Sequence, residues 1–237
     1  MKKITTAALF LAVIAATSCR KDLIGEGPVT SETRTVTNFT GIELKMNGNV
    51  FYKNEPTWKL EVSAKESVHG MLETNVVNQQ LVIRYHDGKT YDADESIRID
   101  ISGPNVSSFS TNSSGNIFVT SDLQVNNVYL KTSGSGNITL KNIAASAIEG
   151  YSTMSGRITA ATGSAQTEKF KTDGSGRIDF SGVVAKDVTA KTIGSGDIKV
   201  KVSDHLDATI DGSGSIYFSG SPLINSHIHG SGDLIHF

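Results

Sequence analysis

Ser195-Gly196-Asp197-Ile198 is one copy of a short phrase whose repetition decides the fold of this 237-residue chain. Near-identical copies, each a Ser-Gly pair followed by a polar and then an aliphatic residue, occur at 114–117, 135–138, 155–158, 175–178, 213–216 and 231–234. The glycines of successive copies are 21, 20, 20, 20, 18 and 18 residues apart. A period this regular is typical of a solenoid, in which each repeat stacks on the next.

Apolar and polar residues alternate on both sides of each glycine. Ile198 and Val200 follow one glycine, and Leu206, Ala208 and Ile210 precede the next. Alternation with period two predicts strands with one buried face, and turns of about 20 residues fit a parallel β-helix. We expect stacking to place the isoleucines of the phrase in one buried ladder. The glycine would supply positive φ or close backbone approach at the corner, and the serine hydroxyl would bond to the turn or to the next serine.

The first residues have the features of an exported lipoprotein. A basic start, an apolar run over residues 7–16 and small residues before Cys19 are typical of a secretory signal peptide, and the run is too short to span a bilayer. Cys19 is the only cysteine, and its position resembles the lipobox, where this cysteine becomes lipid-modified. The alternative is a cysteine that merely ends a signal region. We predict a signal peptide over 1–18, a flexible tether over the polar residues 19–35, and one β-helical domain over 36–237.

The start of the predicted domain carries a second motif, Arg-x-Val-x-x-Phe-x-x-Ile, at Arg34, Val36, Phe39 and Ile42. Together with the lipoprotein start and the Ser-Gly-Asn-Ile and Ser-Gly-Asp-Ile repeats, it resembles the putative auto-transporter adhesin, head GIN domain family, found mainly in Bacteroidota. The similarity runs from Val36 nearly to the end of the chain. The resemblance implies a right-handed β-helix on an exported protein of the cell envelope, on the periplasmic face of the outer membrane or at the cell surface. It supplies no catalytic residues.

Composition and spacing argue against several function classes. A net charge of −2 with interspersed signs offers no basic stripe for nucleic acid. The Gly-Ser-Gly segments continue into strands and offer no helix N-terminus to a nucleotide phosphate. A calcium-binding β-roll is disfavoured because the position after the glycine holds Arg157 and Arg177 in two copies. Stacking would instead place Arg177 beside Asp197 as a surface ion pair, worth about 0–1 kcal/mol. No cofactor is predicted.

Charged residues recur at equivalent outward positions and could form a charged face. Lys131, Lys171 and Lys191 would form one column, and Asp173 and Asp211 another. A lyase or hydrolase would need an acidic cluster in a groove, and the stacked serines have no column of histidines to act as a base. We therefore predict a protein that is not an enzyme.

The last turn has two further features. His227 and His229 lie two residues apart and would point outward, with Asp211 one turn below His229, so these three are weak candidates for a surface metal site. The strand edge of residues 224–237 would be exposed unless something covers it, which predicts end-to-end self-association or a partner.

Three functions are compatible with these features. A binding or adhesion module, held at the membrane by a lipid anchor, would present an outward column to a glycan or a protein. A glycan-active enzyme would need acidic residues gathered in a groove. A scaffold for envelope maintenance or sensing would need neither.

Overall fold

The computed structural model describes residues 23–86, 91–92 and 97–237. The predicted signal peptide and Cys19 lie outside these ranges, so both stay predictions. No helix in the described ranges has the length and apolar character required to cross a membrane.

The first half of the chain forms short strands and one helical turn. In order these are β1 (Leu23–Ile24), β2 (Val29–Arg34), β3 (Gly41–Leu44), β4 (Asn49–Asn54), β5 (Lys59–Lys65), α1 (Glu66–His69), β6 (Leu72–Val77), β7 (Gln80–Tyr85), β8 (Tyr91–Asp92), β9 (Arg98–Gly103) and β10 (Ser108–Thr111).

The second half forms long strands that bend around the coils, followed by shorter ones. These are β11 (Asn116–Thr132), β12 (Asn137–Met154), β13 (Arg157–Gly174), β14 (Arg177–Gly194), β15 (Asp197–Gly212), β16 (Ile216–Ser219), β17 (Leu223–Gly230) and β18 (Leu234–His236). Each pairs in parallel with the strand one coil away. The result is a parallel β-solenoid of about six turns, which confirms the predicted architecture.

The aliphatic residue of the repeated phrase forms the predicted ladder. Its members are paired coil to coil and have 0 % exposure: Ile117, Ile138, Ile158, Ile178, Ile198 and Ile216. Val50 of β4 pairs with Ile117 and extends the ladder toward the N-terminus. Because parallel strands lie about 4.8 Å apart, each isoleucine packs directly on the next and removes its apolar surface from water.

The corner glycine is required by close approach of the backbone. A Cβ atom added at Gly196 would lie 2.3 Å from the carbonyl oxygen of Gly176 in the preceding coil. Positive φ occurs two residues earlier, where Gly194 has φ +96°. Met154 occupies the equivalent position with φ +73°, a conformation that disfavours side chains. The predicted contact between stacked serines is present at Ser155 and Ser175, whose hydroxyls lie 3.2 Å apart.

A ladder of buried hydroxyl groups lies beneath the corners, and the sequence analysis did not predict it. Its members are Thr111, Thr132, Ser152, Thr172 and Thr192, each with 0 % exposure. The Thr111 hydroxyl donates to the Gly115 carbonyl at 2.9 Å, and Ser152 donates to Gly156 at 2.7 Å. These bonds give both corner carbonyls a side-chain donor, and the Gly156 carbonyl also accepts the Arg177 N–H at 3.1 Å.

Antiparallel strands cover the N-terminal end of the solenoid. β6 pairs with β7, β5 pairs with β9, and β2 pairs with β5, all antiparallel. The predicted tether over residues 19–35 is therefore wrong for its last part, since Val29–Arg34 is strand β2. None of the side chains of β2 is fully buried, so no apolar alternation marks the strand in the sequence. Backbone pairing with β5 holds it, and Arg34 donates to the carbonyls of Leu72 and His69 at 2.8 and 2.7 Å.

Candidate functional site

One continuous sheet runs along the whole solenoid. Its order is β6–β7–β3–β10–β11–β12–β13–β14–β15–β17, with the C-terminal segments of β11 to β15 taking part. Ten strands span roughly 43 Å, at about 4.8 Å per step. We call the outward surface of this sheet the long face. Side chains two residues apart on each strand point out of it, so they form columns that run parallel to the solenoid axis.

The predicted lysine column lies on the long face. Lys131, Lys171 and Lys191 are in register, with Tyr151 between the first two lysines. Asp173 and Asp211 also share a column, and Ile193 separates them. Most of these charges are paired with one another. The Lys171 Nζ lies 3.6 Å from the Asp173 carboxylate, and the Lys191 Nζ lies 2.8 Å from that of Asp211. The hydrogen bond from Lys191 holds the pKa of Asp211 below its ordinary value.

Two tyrosines meet at the centre of the long face. The ring centroids of Tyr129 and Tyr151 are 5.6 Å apart with a 39° tilt, and the Tyr151 hydroxyl donates to the Glu149 carboxylate at 2.9 Å. Burial, and then the bond to Glu149, raises the pKa of Tyr151 to about 12. Burial and the Glu149 charge raise the pKa of Tyr129 as well. Both phenols are therefore neutral hydrogen-bonding groups at physiological pH.

Shallow grooves of the described residues lie on the long face. One of about 340 Å³ crosses β6, β7 and β3 and includes Val82 and Gln80. The second, of about 460 Å³, is lined by Ser107, Ser108, Asn127, Val128, Tyr129, Ala147 and Glu149. The third, of about 350 Å³, is lined by Ala147, Ile148, Glu149, Thr167, Glu168, Lys169, Asp187, Val188, Thr189, His205 and Asp207. The last two share Ala147 and Glu149, so together they form one groove from β10 to β15, which we call the central groove.

A further groove, of about 300 Å³, lies on a different surface, beside β4, β5 and β9. Phe51 lies at its floor. The Arg98 guanidinium lies 3.9 Å from the centroid of that ring, and Phe118 stacks on it at 5.0 Å. Both faces of the Phe51 ring are thus covered by the protein itself, which leaves no flat aromatic surface for a ligand.

The structure does not assemble the predicted metal candidates into a metal-binding group. His229 does lie one coil from Asp211, as predicted, but the Asp211 carboxylate is bonded to Lys191. Over residues 23–86, 91–92 and 97–237, no three His, Cys, Asp or Glu side chains come close enough together to hold a metal ion. The predicted surface pair of Arg177 and Asp197 is present at 2.9 Å.

The central groove contains acidic side chains on an open surface. Glu149, Asp187 and Asp207 are all exposed, and Asp187 lies 2.7 Å from the Nδ1 atom of His205. A carboxylic acid that must protonate a leaving group usually has its pKa raised by burial. The open position of these three carboxylates is better suited to hydrogen bonding with a bound ligand. The fourth acidic residue of the lining, Glu168, occupies a core position in register with Ile148 and Val188, and its carboxylate oxygens are buried.

The sequence analysis missed the two tyrosines and Glu149. Aligning the copies on their glycines would have found them. A spacing of 20 residues places Tyr129 and Glu149 in one column and Tyr151 in the lysine column.

Comparisons with known proteins concern the whole solenoid. A family model described as "Putative auto-transporter adhesin, head GIN domain" matches residues 38–222. A crystal structure of a putative adhesin from Bacteroides fragilis has a TM-score of 0.83 and 21 % identity, covering 91 % of this chain and all of that one. A putative adhesin from Parabacteroides distasonis has a TM-score of 0.76 and 20 % identity, covering 91 % of this chain and 100 % of that one. A putative lipid binding protein from the same species has a TM-score of 0.76 and 24 % identity, covering 92 % of this chain and 100 % of that one. At these identities the structures establish a shared fold. No curated protein matches the chain significantly.

Proposed function

Because the chain belongs to the putative auto-transporter adhesin, head GIN domain family, we propose that it is an exported binding protein of the cell envelope, without catalytic activity. In this proposal the long face is the binding surface, and its ligand is an extended glycan or polypeptide. The family match over residues 38–222 supports the adhesin class.

The single observation that carries the proposal is the central groove. It crosses the coils from β10 to β15, so it follows the solenoid axis for roughly 24 Å at about 4.8 Å per coil. Pockets for small molecules enclose most of the ligand surface, whereas this groove is open along its length. An open groove with charged, hydroxyl, amide and aromatic side chains fits an elongated ligand lying across the coils.

Membrane attachment is the second part of the proposal. We propose that Cys19 becomes the lipid-modified first residue of the mature protein, and that residues 20–28 connect the anchor to β2. Cells grown with a labelled fatty acid should yield a labelled membrane-bound wild-type protein. The Cys19→Ala variant should carry no label and leave the membrane fraction. A labelled Cys19→Ala protein would contradict the anchor.

The binding role is tested by obstructing the central groove. Ala147 is the point shared by its two halves, whereas Ala144 lies on the same strand and faces outward from a different surface. Cells that express full-length wild type, Ala147→Arg or Ala144→Arg are scored for attachment to arrays of immobilised glycans and proteins. Wild type and Ala144→Arg should attach alike, and Ala147→Arg should lose attachment at least tenfold. Equal attachment of all three would contradict the proposal.

A glycan-active enzyme and an envelope scaffold are the competing functions. Appearance of new reducing or unsaturated ends in a bound glycan would establish the enzyme. If deletion of the gene causes envelope stress while attachment is unchanged, the scaffold is favoured.

A further inference from the structure

We infer that Tyr129, Tyr151 and Glu149 form a carbohydrate subsite that binds a sugar ring of a neutral glycan chain lying along the central groove. The inference rests on the proposed function, since it names the ligand class of the same surface.

The geometry of the tyrosine pair suits a sugar ring. Tyr129 is 38 % exposed and lines the central groove, and Tyr151 meets it at 5.6 Å. A sugar ring has an apolar face of C–H groups, which packs against an aromatic ring, while its hydroxyls point to the side. Tyrosine suits this role because it combines an apolar ring with a polar tip. The mutual contact of the two rings limits their rotation, so binding loses little side-chain entropy.

Polar groups that can bind sugar hydroxyls lie beside the two rings. The Glu149 carboxylate accepts one bond from Tyr151, and an ionised carboxylate has about four acceptor sites. The Glu149 carboxylate therefore keeps acceptor sites that sugar hydroxyls can donate to. Ser108 and Asn127 line the same part of the groove and add donors and acceptors at its edge. Polar groups of this kind fix the orientation of a ligand that stacking alone would hold loosely.

The charges around the tyrosine pair favour a neutral glycan over an acidic one. Lys171 and Lys191 are paired with Asp173 and Asp211. The carboxylate that touches the tyrosine pair is that of Glu149, which would repel the carboxylate or sulfate of an acidic sugar. Lys169 follows Glu149 in the same column, so the two charges alternate in sign along the groove. No run of cations forms there to attract an anionic polymer.

The central groove fits a sugar better than a protein partner. A stable protein interface buries about 800 Å² on each side around an apolar and aromatic centre. On the part of the long face formed by β10 to β14, the large apolar side chains with substantial exposure are Tyr129 and, at the corner that ends β12, Met154. One ring suits a sugar subsite better than the core of a protein interface.

The spacing of the coils agrees with a polymer. One column of the central groove contains one residue from each coil, namely Ser108, Tyr129, Glu149, Lys169, Thr189 and Asp207. Steps of about 4.8 Å are comparable to the length of one sugar unit, so successive sugars would meet successive coils.

The test uses the full-length protein in detergent and a panel of soluble polysaccharides. The neutral probes are amylose, laminarin, mannan and xyloglucan, the acidic probe is polygalacturonate, and the polypeptide probe is unfolded casein. Wild type should bind at least one neutral glycan. Tyr129→Ala should weaken that binding at least tenfold, whereas Tyr129→Phe should stay within about threefold because it retains the ring. Gln124→Ala, an exposed substitution on another surface, is the matched control and should change nothing.

The outcomes separate the subsite from the proposed function. The subsite is overturned if no neutral glycan binds, if polygalacturonate binds better than every neutral probe, or if Tyr129→Ala keeps wild-type affinity. Should casein alone bind and Ala147→Arg abolish that binding, the binding function would survive and the carbohydrate subsite would not. If nothing in the panel binds while cells still attach through the groove, the same conclusion follows.

Discussion

Glu168 is a carboxylic acid in a core position where its neighbours in adjacent coils, Ile148 and Val188, are aliphatic. It is 2 % exposed, and neither of its carboxylate oxygens has a hydrogen-bond partner. Burial raises its pKa well above the ordinary value. The folded protein therefore holds a proton there that the unfolded chain releases at lower pH, so folding is coupled to pH through this residue.

We predict that Glu168→Gln removes a pH dependence of stability. Because the folded-state pKa of Glu168 is raised, its contribution to the free energy of unfolding is fully present at pH values below the unfolded-state pKa of about 4.3. That contribution is lost as pH rises toward the folded-state pKa. The variant should match wild type near pH 4.5 and exceed it at pH 8, because only wild type must release a proton on unfolding. The difference should be about 1.4 kcal/mol for each pH unit between the unfolded and the folded pKa of Glu168. Urea unfolding at both pH values measures the difference. Parallel pH profiles for the two proteins would contradict the prediction.

Glycine at the corner should tolerate no side chain. The Cβ of Gly196→Ala would lie 2.3 Å from the Gly176 carbonyl oxygen, so the two coils would have to separate. We expect a loss of about 1–3 kcal/mol in the free energy of unfolding, the usual cost of overpacking. Gly70→Ala is the matched control, because its added Cβ has no atom within 4 Å. Thermal unfolding of both variants measures the effect. Equal stability of the two variants would show that the coils separate at little cost in free energy, which would contradict the prediction.

At the scale of elements, sequence reasoning succeeded where a feature repeats with the coil and failed where it occurs once. The isoleucine ladder was predictable because six coils give the same residue the same environment. The burial of Glu168 was not predicted, since a charged residue type gives no signal of burial and its core position shows only from its register with Ile148 and Val188. Strand β2 escaped because its side chains face water and only its backbone is paired.

The strand β2 and the helix α1 should open together when one side chain is removed. The Arg34 guanidinium donates to the carbonyls of Leu72 and His69, and so joins β2 to the chain around α1. Arg34→Ala should lose about 1.5–3 kcal/mol of local stability, typical of hydrogen bonds to a charged group. Amide exchange should accelerate in β2 and α1 and stay unchanged in β13 and β14, because solenoid coils interact with their neighbours. The exposed Lys53→Ala is the control. Uniform acceleration along the chain would contradict the prediction.

At the scale of the molecule, the last coil is the least covered part of the described core. Ile224 and Ile228 are each 46 % exposed, whereas their partners one coil earlier, Leu206 and Ile210, are at most 1 % exposed. The backbone edge of β17 that faces away from β15 has no strand beside it in the described ranges. Such an edge can pair with another copy. An antiparallel register centred on Ser226 would place Ile224 against Ile228 of the second copy, with apolar side chains on the inner side of both strands.

We therefore expect association that depends on concentration. Sedimentation velocity on wild type should show a dimer that grows between low and high micromolar protein. Ile224→Lys should remain monomeric, because a charge on the edge opposes pairing. Val77→Lys alters an exposed valine at the opposite end of the long face and should behave as wild type. A wild-type protein that is monomeric throughout this range would contradict the prediction.

The in-register stacking of the coils has a consequence for how this molecule can vary. Arg157 pairs with Arg177 and Gly174 with Gly194, so residues 157–176 form a module of 20 residues whose two ends match. Duplicating that module would lengthen the rod by about 4.8 Å and keep every inner side chain inside. Inserting one residue in a strand would instead reverse the orientation of every following side chain in that strand, so that inward side chains would point outward and outward ones inward. Among proteins of this design, the length of the solenoid should therefore change by whole coils, added or lost one at a time.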